Sequence, residues 1–255
     1  TQIVKKYTNY IFCVSILRIF IMSNRPNAIL DNRYDFNDNH LKSLETLIYK
    51  AANNYSKILP VRIDFHLSSP VIDTEIDRED FMNYWQRMQN RMRRNQKFDH
   101  LITFVAKFEY GYQRGWHMHV LFLFNGQKVK DGFSLSRELG EYWAQTVKPE
   151  NLHVGTYHSC NMERSNYKQF VLNMINASES LYQKDINPNA YTDLDALIDA
   201  CSYLTKIHHY TIDYLIEQGY SRLPRTIIFG QVRSKSNAGR PRKTSILPSR
   251  NCHHF

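Results

Sequence analysis

His117 and His119 sit in the run Gly115-Trp116-His117-Met118-His119-Val120-Leu121-Phe122-Leu123-Phe124. The run is apolar and aromatic and ends at Asn125-Gly126, which predicts a strand followed by a turn. On a strand, alternate side chains share a face. The two imidazoles therefore project together, with Met118 and Val120 on the opposite side. Two neutral imidazoles side by side can bind a divalent metal; they can also be two satisfied core histidines. Glu109 lies near the end of the preceding apolar run, Leu101 to Tyr110. A turn over Gly111 to Gly115 would pair the two runs as an antiparallel hairpin and bring Glu109 beside the imidazoles. Two nitrogens and a carboxylate leave coordination positions open for a substrate oxygen. Such a set suits Mg²⁺ or Mn²⁺, and accepts Zn²⁺, Co²⁺ or Ni²⁺ as well. The competing reading pairs Glu109 with Lys107 or Arg114. The histidines are two apart on a strand, not four apart on a helix, which disfavours the metalloprotease pattern H-E-x-x-H.

A second candidate lies downstream in Ser202-Tyr203-Leu204-Thr205-Lys206. Residues 193–218 predict one long helix. Leu194, Leu197, Ile198, Cys201, Leu204, His208, Ile212, Leu215 and Ile216 would form its apolar stripe. Tyr203 falls nearly opposite that stripe, with Lys206 and Tyr210 on its own side. Tyr203 and Lys206 are an i, i+3 pair and hence neighbours on a helix surface. A phenol can attack phosphorus and hold a covalent phosphoryl group. A cation beside it can stabilise the phenolate or the charge that develops in the transition state. The plainer reading is a surface tyrosine next to a surface lysine.

The elements that must carry these residues follow from patterning. Asn37 and Asp38 are N-cap candidates for a helix with Leu41, Leu44, Leu47, Ile48, Ala51 and Tyr55 on one stripe. Ile58 to Leu67 reads as a strand, alternating after Pro60. Glu79 to Lys97 predicts a helix with Phe81, Trp85, Met88 and Met92 inward and Arg87, Arg91, Arg93 and Arg94 outward. Helices are also predicted over 135–147 and 163–182, and strands over 153–160 and 226–229. The order predicts an α+β fold, a central antiparallel sheet flanked by helices.

The 255 residues suffice for one large domain or two small ones. The net charge of +9 suits a polyanionic partner, either nucleic acid or an anionic membrane surface. Cys13, Cys160, Cys201 and Cys252 are scattered without C-x-x-C, which argues against a zinc ribbon or a disulfide framework and fits a reducing cytoplasm. Ile11 to Met22 is too short to span a bilayer and carries Arg18. Residues 1–22 are read as a leader or extension, with Met22 close to the natural start. Residues 23–57 are taken as an N-terminal helical segment, and 233–255 as a basic tail predicted to be disordered. No Walker sequence is present, so no nucleotide cofactor is expected.

In combination, Glu109, His117-Met118-His119 and, downstream, Tyr203-Leu204-Thr205-Lys206 resemble the HUH endonucleases, the rolling-circle replication initiators. The order, histidines before tyrosine, matches their replication branch. The phrases W-H-M-H-V-L-F-L-F, C-S-Y-L-T-K and L-P-R-T-I-I-F-G are similar to the gene II replication proteins of filamentous phages (inoviruses) and their prophage-borne bacterial relatives. The resemblance spans roughly residues 58–230, so 58–232 is expected to be the endonuclease domain, with a ferredoxin/RRM-like palm. It implies His117, His119 and Glu109 as ligands of Mg²⁺ or Mn²⁺, Tyr203 as nucleophile and Lys206 as its electrostatic partner. It further implies a 5′-phosphotyrosine intermediate, and single-stranded or hairpin DNA at a replication origin as substrate. A host polymerase and helicase would be partners, in a bacterial cytoplasm, with no membrane association. Positions 199 and 207 are Asp and Ile, so the second tyrosine that some relatives carry one turn away is missing. A transposase of a mobile element, a hydrolytic metallonuclease that leaves Tyr203 idle and a non-catalytic DNA-binding repressor are the alternatives. Arg87, Arg91, Arg93 and Arg94 could track phosphates, and Tyr110, Tyr112 or Trp116 could stack on bases unless they serve core or turn packing. Gly239-Arg240-Pro241-Arg242-Lys243 resembles an AT-hook. His208, His209, His253 and His254 are given no role.

Overall fold

Alternation after Pro60 decides which side chains of the first strand face which layer. Val61, Ile63, Phe65 and Leu67 enter one apolar core, while Arg62, Asp64 and His66 point the other way. The structure, a computed structural model, describes residues 35–68, 77–111, 114–147, 154–161 and 173–234. Within them lie six strands: β1 (Lys57–Ser68), β2 (Leu101–Gly111), β3 (Gly115–Asn125), β4 (Val154–Ser159), β5 (Ile175–Asn176) and β6 (Ile227–Phe229). Six α-helices accompany them: α1 (Asp38–Asn54), α2 (Arg78–Met92), α3 (Gly132–Thr146), α4 (Ala177–Ile186), α5 (Asp193–Ser202) and α6 (His209–Glu217). Every strand pairing is antiparallel. The order across the sheet is β4-β1-β3-β2-β6, with β5 pairing the start of β1. The segment β1-α2-β2-β3-α3-β4, with spatial order 4-1-3-2, is the split βαβ arrangement. The α+β expectation and its central antiparallel sheet are thus present.

Helix starts are set by side chains. Asn37 accepts the His40 backbone N–H at the head of α1, Asp77 that of Asp80 at α2, and Asp131 those of Phe133 and Ser134 at α3. Helices α2 and α3 cover one face of the sheet. Phe81, Trp85 and Met88 of α2 and Leu139 and Trp143 of α3 join Phe65, Phe108, Met118 and Phe122 in one core. Trp143 stacks on Phe65 with 5.0 Å between ring centroids. Gly140 has no room for a side chain, because an added Cβ would run into the Tyr157 ring of β4. On the other face, α1, α4 and α5 bury Leu44, Ile48, Ala177, Leu197 and Ile198 against Ile58, Ile102, Leu121 and Leu123. That second core covers only one end of its face. The other end carries the polar residues of β1, β2 and β3. Cys160 and Cys201 are buried free thiols.

Three expectations need correction. The helix predicted over 79–97 stops at Met92 and a short 3-10 turn follows at Gln96–Phe98, which leaves Arg93 and Arg94 in the connection. The helix predicted over 163–182 is seen only from Ala177. Ile175–Asn176 pairs with β1 instead, and the Asn176 side chain caps the helix; the stretch before 173 lies outside the described residues. The single helix over 193–218 is broken. α5 ends at Ser202, Tyr203–Thr205 is a 3-10 turn, Lys206 is extended (φ −61°, ψ 147°), and α6 begins at His209. The reason is packing on two layers. Leu194 to Leu204 belong to one core, while Leu215 joins the core on the opposite face. A straight helix could not serve both, and Ile216 is exposed rather than on a stripe. Residues 1–22, Tyr112 and the AT-hook-like tail lie outside the described residues.

Candidate metal centre

β3 lies between β1 and β2, so its side chains on one face are flanked on both sides. The register sets Glu109 opposite His117, Lys107 and Asp64 opposite His119, and His66 opposite His117. Strand alternation then places Arg62, Asp64, His66, Lys107, Glu109, His117 and His119 on one face. The hairpin places Glu109 beside the imidazoles as the sequence predicts. Ligand atoms of Glu109, His117 and His119 all lie within 4.8 Å of one another, and all three residues are buried.

The tautomers decide which nitrogens are free. His117 Nδ1 donates to the Gly115 carbonyl at 3.1 Å. His119 Nδ1 lies 2.6 Å from Asp64 Oδ1, a short ion pair rather than a straight hydrogen bond. In both rings the proton belongs on Nδ1, and Nε2 turns to Glu109, at 3.8 Å and 3.4 Å from Oε2. A carbonyl or carboxylate behind each imidazole is the arrangement that orients metal-binding histidines. His208 is the reverse case. Its Nδ1 accepts the Thr211 backbone N–H at 3.3 Å. Its proton therefore sits on Nε2, which faces Glu109 Oε2 at 3.5 Å as a donor.

Glu109 is 1% exposed. Its Oε1 has no hydrogen-bond partner, and the nitrogens around Oε2 stand 3.4 to 3.9 Å away. Those gaps are long for hydrogen bonds. The two imidazole gaps, 3.4 and 3.8 Å, are at and somewhat beyond the roughly 3 to 3.4 Å between neighbouring donors on an ion with bonds of about 2.1 Å, so a small inward movement would close them on one. A buried carboxylate with one orphaned oxygen and two lone-pair nitrogens turned to it fits a divalent cation.

Charge is distributed accordingly. Burial alone would raise the Glu109 carboxyl, but His119, Lys206 and His208 draw it down to about 2. Burial pulls the His119 imidazole down, and Asp64 and Glu109 more than compensate, so it holds its proton above its ordinary value. Burial lowers His117, helped by His119. Burial and His117 bring His66, which stacks on His117, down to about 4.

The broken helix delivers Tyr203 to this cluster. Its ring lies 5.6 Å from the His119 ring, centroid to centroid. Lys206 Nζ donates to the Tyr203 hydroxyl at 2.7 Å and stands 3.9 Å from Glu109 Oε2. The Arg62 guanidinium lies 5.2 Å from the Tyr203 ring centroid. The backbone of Asp35–Asn37 holds the turn: Asn37 N–H donates to the Thr205 carbonyl at 2.9 Å and Ile207 N–H to that of Asp35 at 2.7 Å. The neighbourhood of Tyr203 and Lys206 is as the sequence implies, but a 3-10 turn followed by an extended lysine presents them, not a helix surface.

Arg87, Arg91, Arg93 and Arg94 are exposed. They are not brought to this cluster. α2 lies on the opposite sheet face, and Arg91–Arg94 sit near the start of β2. Glu109 is eight residues along that strand from Leu101, about 26 Å at 3.3 Å per residue. Trp116 is 2% exposed and packs with Tyr110 and Tyr214, so it is a core residue, not a stacking surface. Tyr110 itself stacks on Tyr214 at 3.6 Å. Sequence reasoning missed Asp64, Arg62 and His208. The first two had a signal, charged residues alternating with apolar ones on a strand inside the sheet. His208 had none, because its partner lies 99 positions away.

A family model described as the YagK/YfjJ C-terminal domain matches residues 22–208. That span contains Glu109, His117, His119, Tyr203 and Lys206. No curated protein and no solved structure matches the chain. Among the described residues no helix is long and apolar enough to cross a membrane.

Proposed function

The chain belongs to the YagK/YfjJ C-terminal domain family, and with its site geometry as the second premise we propose that it nicks and rejoins DNA through a transient bond to Tyr203. The observation that carries this reading is convergence. A phenol hydrogen-bonded to a buried lysine stands against the imidazole of a buried Glu-His-His cluster.

In the proposed reaction the Tyr203 oxygen loses its proton and attacks the scissile phosphorus. A new P–O bond to tyrosine forms as the bond to the 3′-oxygen breaks, and that oxygen leaves and takes up a proton. The products are a 5′-phosphotyrosine and a free 3′-hydroxyl. The reverse attack rejoins the strand without ATP, because the phosphodiester is exchanged and not hydrolysed. Lys206 is 8% exposed, and in that dry setting its ammonium favours the phenolate. Asp64 and the Gly115 carbonyl hold the two imidazoles in the tautomer that leaves Nε2 free. A divalent ion held by Glu109, His117 and His119, Mg²⁺ or Mn²⁺ by the nitrogen and oxygen donor set, would neutralise charge on the phosphate. The resemblance to rolling-circle initiators further supports origin DNA, single-stranded or hairpin, as substrate, and a host polymerase and helicase as partners. A transposase of a mobile element would use the same chemistry on hairpin ends.

Labelled single-stranded oligonucleotides incubated with the protein and Mn²⁺, then run on a denaturing gel, test this. A covalent adduct is expected, and Tyr203→Phe abolishes it. Cleavage without adduct would assign the cluster to hydrolysis by water. Binding without cleavage would make the protein a DNA-binding repressor.

A further inference from the structure

Beyond the Glu-His-His cluster, on the β6 side of the sheet, lies a separate cavity of about 100 Å³. Lys107, Lys206, His40, His208 and Thr226 line it. Lys107 is 4% exposed. Among the described residues its ammonium makes one hydrogen bond, a long one of 3.4 Å to Thr226 Oγ1, though it has three N–H groups to satisfy. His40 Nδ1 is buried with no hydrogen-bond partner. Arg225 adds its field to His40 from outside.

No carboxylate lines the cavity. Glu109 is the acidic group whose field reaches Lys107, and in the reading above it is committed to a cation. The Lys107 ammonium is then left facing this space on one long hydrogen bond, with Lys206, which donates to the Tyr203 hydroxyl, beside it. Buried charge is costly unless it is paired. The space suits a small group, and the N–H donors of Lys107 and Lys206 face it.

We propose that this cavity is an anion site for the tetrahedral oxyanion of a phosphate group, set beside the metal centre with Lys206 as their common wall. Lys107 is the principal ligand, Thr226 and His40 complete the cradle, and the phosphate comes either from the DNA backbone next to the cut or from free phosphate. The assignment of Glu109 to a cation underlies this proposal; strand transfer by Tyr203 does not.

Titration of inorganic phosphate into the Mg²⁺-loaded full chain, at constant ionic strength with chloride as control, tests the site. Saturable one-to-one binding is expected, weakened at least tenfold by Lys107→Met. His40→Phe and Thr226→Val provide the same test should Lys107→Met fail to fold. Absence of saturable binding, or binding that survives these substitutions and so belongs to the ion, overturns the proposal. The source is read from affinity for single-stranded oligonucleotides carrying one neutral methylphosphonate, moved position by position. If the phosphate is a backbone one, a single position weakens the wild-type protein and leaves Lys107→Met unaffected. The lysine variant also lowers the slope of log affinity against log salt by about 0.7. Phosphate binding with no such position assigns the site to free phosphate. Each measurement reads binding, so failure of adduct formation leaves this test standing.

Discussion

Asp64 touches no proposed substrate, yet the chemistry of His119 depends on it. It holds the Nδ1 side of the ring and so turns Nε2 to Glu109, where a divalent ion would bind. Asp64→Asn keeps the shape and removes the charge, and it should weaken Mn²⁺ binding by about 10- to 100-fold with the fold intact. Calorimetric titration alongside a melting curve checks this; unchanged affinity would dismiss the orienting role. The same pair sets a pH dependence. His119 holds its proton above 6.5 in the metal-free protein, and a metal must displace that proton. Metal affinity should be full above the raised value and fall as pH drops through it, starting at a higher pH than for an ordinary imidazole. The contribution of His119 to the stability of the metal-free protein runs the opposite way. The contribution of the protonated His119 is complete below 6.5 and is lost as pH rises through its raised value. Those of Glu109 and Asp64, both held down, are present above 4.5 and 3.8 and disappear in acid. His40, His66, His117 and His208, all lowered, pull the other way, so the test is the difference made by His119→Gln: an unaltered change in stability from pH 6 to 8 in that variant would contradict this assignment of charge.

At the scale of elements, the hairpin and the α+β succession of strands and helices were legible, because their apolar residues recur with clean periods of two or 3.6, whereas the split βαβ order was only implied by the resemblance. Glu109 was legible for the same reason, since a five-residue turn leaves little choice of register. The break at Tyr203 was not. No proline or glycine marks Ser202 to Lys206, and the local pattern is that of a helix. What breaks it is remote: the antiparallel contact of Phe36 with Lys206 and the divergence of the two cores. The segment before α1 therefore positions the tyrosine. Phe36 is 8% exposed, and Phe36→Ala should cost about 3 kcal/mol by thermal unfolding. Adduct yield should fall further than the loss of folded protein accounts for. An adduct yield that simply tracks the folded fraction would reduce the strap to ordinary packing.

Across the whole molecule, two layers meet one sheet, and the site occupies the part of a face that neither α1 nor α5 covers. The sequence suggested which residues belong together but not the shape of that gap, since only the assembled layers define it. It also tied Arg87, Arg91, Arg93 and Arg94 to the reaction by charge alone, whereas the fold puts them on the far side. If they bind DNA, the strand must wrap around an edge of the sheet. Replacing all four by Ser should reduce the salt slope of DNA binding while leaving Mn²⁺ affinity untouched.

β3 is bonded to a neighbour along both edges, whereas the backbone of the turn at Tyr203 meets no strand ladder and is bonded across to the three-residue strap Asp35–Asn37. The two halves of the centre therefore keep different time. Amide protons at His117, Met118 and His119 should survive in heavy water until the entire molecule opens, and those of Leu204 to Ile207 should wash out much sooner. An anvil that never stirs beneath a hammer on a loose handle is the arrangement the proposed reaction would need, to keep an ion in place and still hand on a cut strand.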